Sequence, residues 1–164
     1  MTTQYRFVLL SVLLLVLVGC SSGAFGSFQL EVESVDDIEV VRSLSYFEAG
    51  EIGPSYNLSM TVPDSWAGQF ETVKDGNSLS FTYVGENNQR SPILTIEALS
   101  STQYWQQIGS YPGDYTNLVF TSDTYFVYTQ ARGSFYAGVS DEVYEELVAE
   151  VPTIVESFAA APSE

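Results

Sequence analysis

The chain has 164 residues, with 21 acidic and five basic side chains, no histidine and one cysteine, for a formal net charge of −16. Without histidine or a second cysteine, Ser-His-Asp and Cys-His catalysis and structural zinc sites are excluded. So few cations also exclude nucleic acid, whose binding rests on clustered lysine and arginine releasing counterions, and a polybasic contact with anionic lipid headgroups.

The chain begins with a basic residue, Arg6, followed by an apolar stretch over 7–18 interrupted only by Ser11, and then Leu17-Val18-Gly19-Cys20. This order reads as a lipoprotein signal: compact Val18 and Gly19 permit cleavage before Cys20, which resembles a lipobox cysteine that is diacylated and becomes the mature N-terminus. The competing readings are an ordinary cleaved signal and an uncleaved anchor. Against the anchor, twelve residues reach about 18 Å as a helix, short of a hydrocarbon core of roughly 30 Å. Removal of residues 1–19 leaves four cations against 21 acids, a mature net charge of −17. Residues 20–27 read as a short lipidated tether, and 28–164 as a single domain of ordinary size that folds by packing, because one cysteine cannot form an intramolecular disulfide.

The domain reads mainly as strands. Phe28, Leu30 and Val32 alternate with Gln29, Glu31 and Glu33, the period of a half-buried strand. Ile38, Val40, Leu44 and Tyr46 keep one parity, with Arg42 the exception; Tyr56, Leu58, Met60 and Val62 alternate with Asn57, Ser59 and Thr61 until Pro63 stops the strand. Segments 70–74 and 79–84 flank Asp75-Gly76-Asn77, a hairpin signal. Segment 93–99, apolar on both parities, reads as the central strand of a sheet covered on both faces.

A short helix is expected over 102–108, capped by Ser101, with Tyr104, Trp105 and Ile108 on one side; Tyr111-Pro112-Gly113-Asp114 ends it. Two further strands, 116–121 and 125–131, are joined by Ser122-Asp123-Thr124. Ser140 then caps a helix in which Val143, Leu147, Val148, Val151, Ile154, Val155 and Phe158 recur at helical spacing, with Glu142, Glu146 and Glu150 on the opposite face. Pro152 is expected to bend or divide this helix. Strands in runs with two helices point to the α+β class, a mostly antiparallel sheet with a C-terminal amphipathic helix and a short helix packed on it.

The run Tyr56-Asn57-Leu58-Ser59-Met60-Thr61-Val62-Pro63-Asp64-Ser65-Trp66, the hairpin after it, Ile93-Leu94-Thr95-Ile96, Trp105 and the Tyr128 strand resemble the small lipoproteins of the PsbP-like and DcrB-like group, over roughly residues 56–158. That resemblance implies an α-β-α sandwich, non-enzymatic, used as a protein-binding or assembly module.

Chemistry left open by composition is limited. A glycosidase needs only two carboxylates, but no spacing among the acids selects a pair. Asp36-Asp37 and the helix acids Glu142, Glu146 and Glu150 lack the loop of oxygen ligands that calcium requires, so no metal or other cofactor is expected. Tyr104, Trp105, Tyr111, Tyr115, Tyr125, Tyr128 and Tyr136 crowd the second half; most are expected in the core or on strand faces, as is Trp66, whereas Tyr111 and Tyr115 border a Pro-Gly turn where exposure is expected. The expected binding surface therefore combines Tyr111, Tyr115, Glu142, Glu146 and Glu150. The leading expectation is an exported lipoprotein held at the extracytoplasmic face of a cell membrane by acylated Cys20, with an envelope protein as partner. A receptor for carbohydrate or another small ligand, using exposed tyrosines, is the alternative, and a carboxylate-based hydrolase the third.

Overall fold

A computed structural model describes residues 38–85, 88–110 and 113–163. The signal segment 1–19 with Gly19, Cys20 and the tether 20–27, the expected strand 28–33, Asp36-Asp37 and Tyr111 lie outside the described residues. The architecture is α+β with antiparallel pairing throughout. Among the described residues there are two sheets instead of one: β1 (Ile38–Glu48), β2 (Glu51–Val62) and β8 (Ala159–Pro162) form a three-stranded sheet, while β3 (Phe70–Asp75), β4 (Ser78–Val84), β5 (Arg90–Leu99), β6 (Thr116–Phe120) and β7 (Tyr125–Gln130) form a five-stranded sheet in the order β3-β4-β5-β7-β6.

β1 and β2 join through Ala49 and Gly50, whose φ values of 52° and 91° match a tight hairpin with two left-handed residues. At the expected hairpin between β3 and β4, Gly76 adopts φ 56°, and Asn77 locks the turn to β5 by exchanging backbone and side-chain hydrogen bonds with Ala98. β5 is the middle strand of its sheet and is buried on both faces, with a register shift opposite Phe81 and Thr82 that also places Ile93 in the main core. Leu94, Ile96 and Ala98 enter the main core, while Leu99 joins Tyr104 and Val127 in a second cluster.

The main core lies between the two sheets and the long helix. It unites Leu44, Leu58, Met60 and Val62 of the small sheet, Phe81, Leu94, Ile96 and Phe126 of the large one, and Leu147, Val151 and Ile154 of α3 (Asp141–Glu156). Helix α1 (Ser101–Ser110) covers part of the other face of the large sheet through Tyr104. Its cap is Ser100, not Ser101: the Ser100 hydroxyl accepts from the Gln103 backbone N–H while the Gln103 side chain accepts from that of Ser100, a reciprocal capping box. Trp105 leaves the packed side and is 63% exposed. A short helix, α2 (Ser134–Ala137), had no signal in the sequence.

Pro152 does not divide α3, which runs unbroken for 16 residues. The proline stands on an exposed position, where the carbonyl deprived of its N–H partner can meet water. The chain beyond Ser157 is strand rather than helix, since 159–162 pair with 56–59 of β2. No helix among the described residues is long and apolar enough to cross a membrane.

Candidate functional site

Pro63, fixed in φ and unable to extend the ladder, ends β2, and the chain makes one 3-10 turn, Asp64–Trp66, closed by the Trp66 N–H on the Pro63 carbonyl. The turn drops Trp66 into the core, 2% exposed, where its ring meets Phe70 at 6.1 Å and Phe70 stacks on Phe81. The Trp66 indole N–H is buried without a partner. Gly68, with φ 70°, reverses the chain into β3, and the Gln69 carbonyl accepts from the Val84 N–H, bringing this corner against Tyr83 of β4.

Facing that corner is α3. Ser140 caps it through the Val143 N–H, and the Tyr144 hydroxyl donates to the Ala131 carbonyl at 2.6 Å. At its far end the Ser157 hydroxyl accepts from the Thr61 N–H at 2.8 Å and donates to the Ile154 carbonyl. Between helix and corner runs a groove of about 460 Å³. Ser65, Trp66, Gln69 and Tyr83 form one wall, and Val143, Glu146, Leu147, Ala149 and Glu150 the other. The base is apolar and the helical rim acidic.

Glu146 and Glu150 are thus brought together, at the margin of the apolar stripe rather than wholly opposite it: Glu146 is exposed and Glu150 half-buried. Glu142 is exposed but does not line the groove. Tyr115 belongs elsewhere. It is half-buried, packed on the Leu99, Tyr104 and Val127 cluster at the α1 face of the large sheet, so the expected surface of tyrosines and helix acids is not one site. Trp66, Gln69 and Tyr83 carry no site signal in the sequence beyond the Pro-x-x-Trp order of residues 63–66.

A second feature lies on the α1 face. Tyr104 stacks on Tyr125 with centroids 4.1 Å apart, Tyr125 meets Phe120 at 4.2 Å, and Trp105 abuts Tyr104 edge-on. Phe120 is 60% exposed at the edge strand β6, and Asn117, Val119, Tyr104, Phe120 and Tyr125 border a hollow of about 190 Å³.

Two carboxylates have shifted affinities for the proton. Burial holds Glu97, on β5 beneath α1, above the usual range, opposed by a hydrogen bond with Gln107. Asp123, in the β6–β7 turn, is held below it, chiefly by the Tyr56 hydroxyl donating at 2.8 Å, with Thr124, Ser122 and Thr121 assisting. Neither borders the groove, and among the described residues no group of three or more metal-ligating side chains is assembled. No family model, curated protein or solved structure matches this chain.

Proposed function

We propose that the chain is a non-catalytic envelope lipoprotein, cleaved before Cys20, held by acyl chains on that residue at the extracytoplasmic face of a cell membrane, and binding another envelope protein through the groove. In this reading the architecture is an α-β-α sandwich of the PsbP-like kind, with α3 as its C-terminal amphipathic helix. One observation carries the docking role: the groove of about 460 Å³, apolar at its base and acidic along one rim, between α3 and the Trp66 corner. Open clefts that combine an apolar lining with a polar rim suit protein recognition. A photo-reactive residue at Ala149, in the groove wall, is expected to crosslink one specific envelope protein in native membranes, while the same group at Ser80, on the other face of the large sheet, is expected not to. Absence of a site-specific adduct from Ala149 refutes the docking role.

The ring-lined hollow at Phe120 supports a second reading, capture of a carbohydrate or other small ligand, because open aromatic faces beside an amide are suited to sugar rings. Stabilisation by a glycan in a thermal-shift panel, lost in Phe120→Ala, is its test; a flat panel removes it.

A further inference from the structure

Helix α3 carries Asp141, Glu142, Glu145, Glu146, Glu150 and Glu156 and no lysine or arginine. Glu142/Glu146 and Glu146/Glu150 are one helical turn apart, where Cβ atoms lie about 5–6 Å from each other and like charges oppose the helix. No lysine or arginine within the described residues offsets this. Arg90 is paired with Glu71 and Arg132 with Asp114. Arg42 bonds to Thr72 and the Val41 carbonyl, and Lys74 to the Ser43 carbonyl. All four described cations are therefore engaged on other elements, and the acids of the helix face no described lysine or arginine beside a groove with an apolar base.

We infer that the occupant of the groove is a basic, amphipathic segment of the partner protein, its lysine or arginine side chains set against Glu146 and Glu150 and its apolar side chains laid on Tyr83, Val143 and Ala149. The inference rests on the docking reading of the groove and names the partner's chemistry. Four observations select this occupant. The rim demands positive charge, and the spacing of Glu146 and Glu150, about 6 Å along the helix, matches cations one turn apart on a partner helix. A lone metal ion is disfavoured, since no three-ligand group is present among the described residues. The groove is also too large and too apolar for a small ion: it extends from Val143 to Glu150, about 10 Å along the axis, and holds several side chains. An overall charge of −16 would also steer a cationic segment toward the protein in a salt-dependent way.

The test uses the full chain in nanodiscs of zwitterionic phosphatidylcholine, which do not themselves attract cations. Three fluorescein-labelled peptides serve as probes: a helical lysine-leucine peptide, its glutamate-leucine counterpart, and a lysine-serine peptide of equal charge. The lysine-leucine peptide is expected to bind saturably and to weaken about tenfold between 20 and 300 mM salt as the Debye length falls. The lysine-serine peptide is expected to bind more weakly, because it leaves the apolar base uncovered, and the glutamate-leucine peptide not at all. Glu146→Gln and Glu150→Gln should each weaken binding about two- to fivefold, the range of a solvent-exposed ion pair, while Glu156→Gln at the far end of α3 should leave it unchanged. Equal binding to the Glu146→Gln/Glu150→Gln double variant and the wild type, or binding of the glutamate-leucine peptide as tight as that of the lysine-leucine peptide, overturns the inference. Failure of the docking reading is separately visible. A specific crosslink from Ala149 without peptide binding removes the basic-segment inference alone, whereas peptide binding without any crosslinked partner removes the docking role and leaves the groove's preference for basic segments.

Discussion

Replacing Glu146 by lysine should make the protein more stable and less able to bind. Glu146 sits midway between Glu142 and Glu150 on α3, so the substitution turns two repulsive one-turn pairs into two attractive ones. Each pair of either sign is worth about 0.2–0.5 kcal/mol on a helix surface, which sums to a gain of about 0.8–2 kcal/mol at low salt. The Glu142 to Lys pair has the favoured order, acid N-terminal to base, and should supply the larger half. The residue lies mid-helix, away from both ends, so the helix dipole adds little. For a domain of this size the gain corresponds to a rise in Tm of about 3–8 °C. The measurement is scanning calorimetry and urea unfolding of the wild type, Glu146→Gln and Glu146→Lys in 20 mM and 1 M salt. Glutamine, which only removes repulsion, should fall about halfway, and the differences should shrink at 1 M, where the Debye length is about 3 Å. A flat series at low salt would mean that the acids of α3 already have a counter-charge, and the argument for a basic occupant would fall with it.

Ile154→Ala, at a fully buried position where α3 meets both sheets, should cost about 2–5 kcal/mol in urea unfolding without changing the far-UV spectrum of the folded state. Asp123 has its proton affinity lowered in the fold, so its contribution is present above the unfolded pKa, near 3.8, and is lost as pH falls through the lower folded value. Tyr56→Phe, which removes the main donor, should therefore destabilise at pH 7 and do so less below pH 4, read from unfolding midpoints across pH. Glu97 has the opposite sign: its raised affinity favours the fold below about pH 4.5, and that advantage is lost as pH rises through the folded value. Glu97→Gln, which keeps a hydrogen-bonding group but cannot ionise, should stabilise at pH 7 and give no gain at pH 4. Cys20→Ser is expected to leave an uncleaved, unacylated precursor, and mass spectrometry of the wild-type N-terminus checks the anchor directly, since a mature chain starting elsewhere refutes it.

Local chemistry is enough to specify structure where it acts alone. The alternation from Tyr56 to Met60, the Asp75-Gly76-Asn77 turn, the doubly apolar β5 and the Ser140 cap each follow from a few adjacent residues, and each is found. The misses depended on the tertiary environment. Ala49 takes a left-handed conformation that its sequence does not favour because the β1–β2 ladder closes on either side of it. Pro152 is tolerated within α3 because core contacts at Val151 and Ile154 hold the helix across it. Ala159 and Ala160, good helix formers, are strand because β2 offers a free edge. The site was half legible for the same reason: Glu146 and Glu150 follow from helical spacing, whereas the opposing wall, Ser65 to Gln69 with Tyr83, is assembled by sheet pairing across long stretches of chain.

Helix α3 is fastened at both ends, by Tyr144 to the Ala131 carbonyl and by Ser157 to Thr61, with β8 then pairing to β2. A jaw hinged at one end could adapt its gap to many occupants; this one has neither end free. Little conformational entropy remains to be lost when something enters, so shape should discriminate between occupants as strongly as charge. The last four-residue strand ties the chain that leaves α3 to β2.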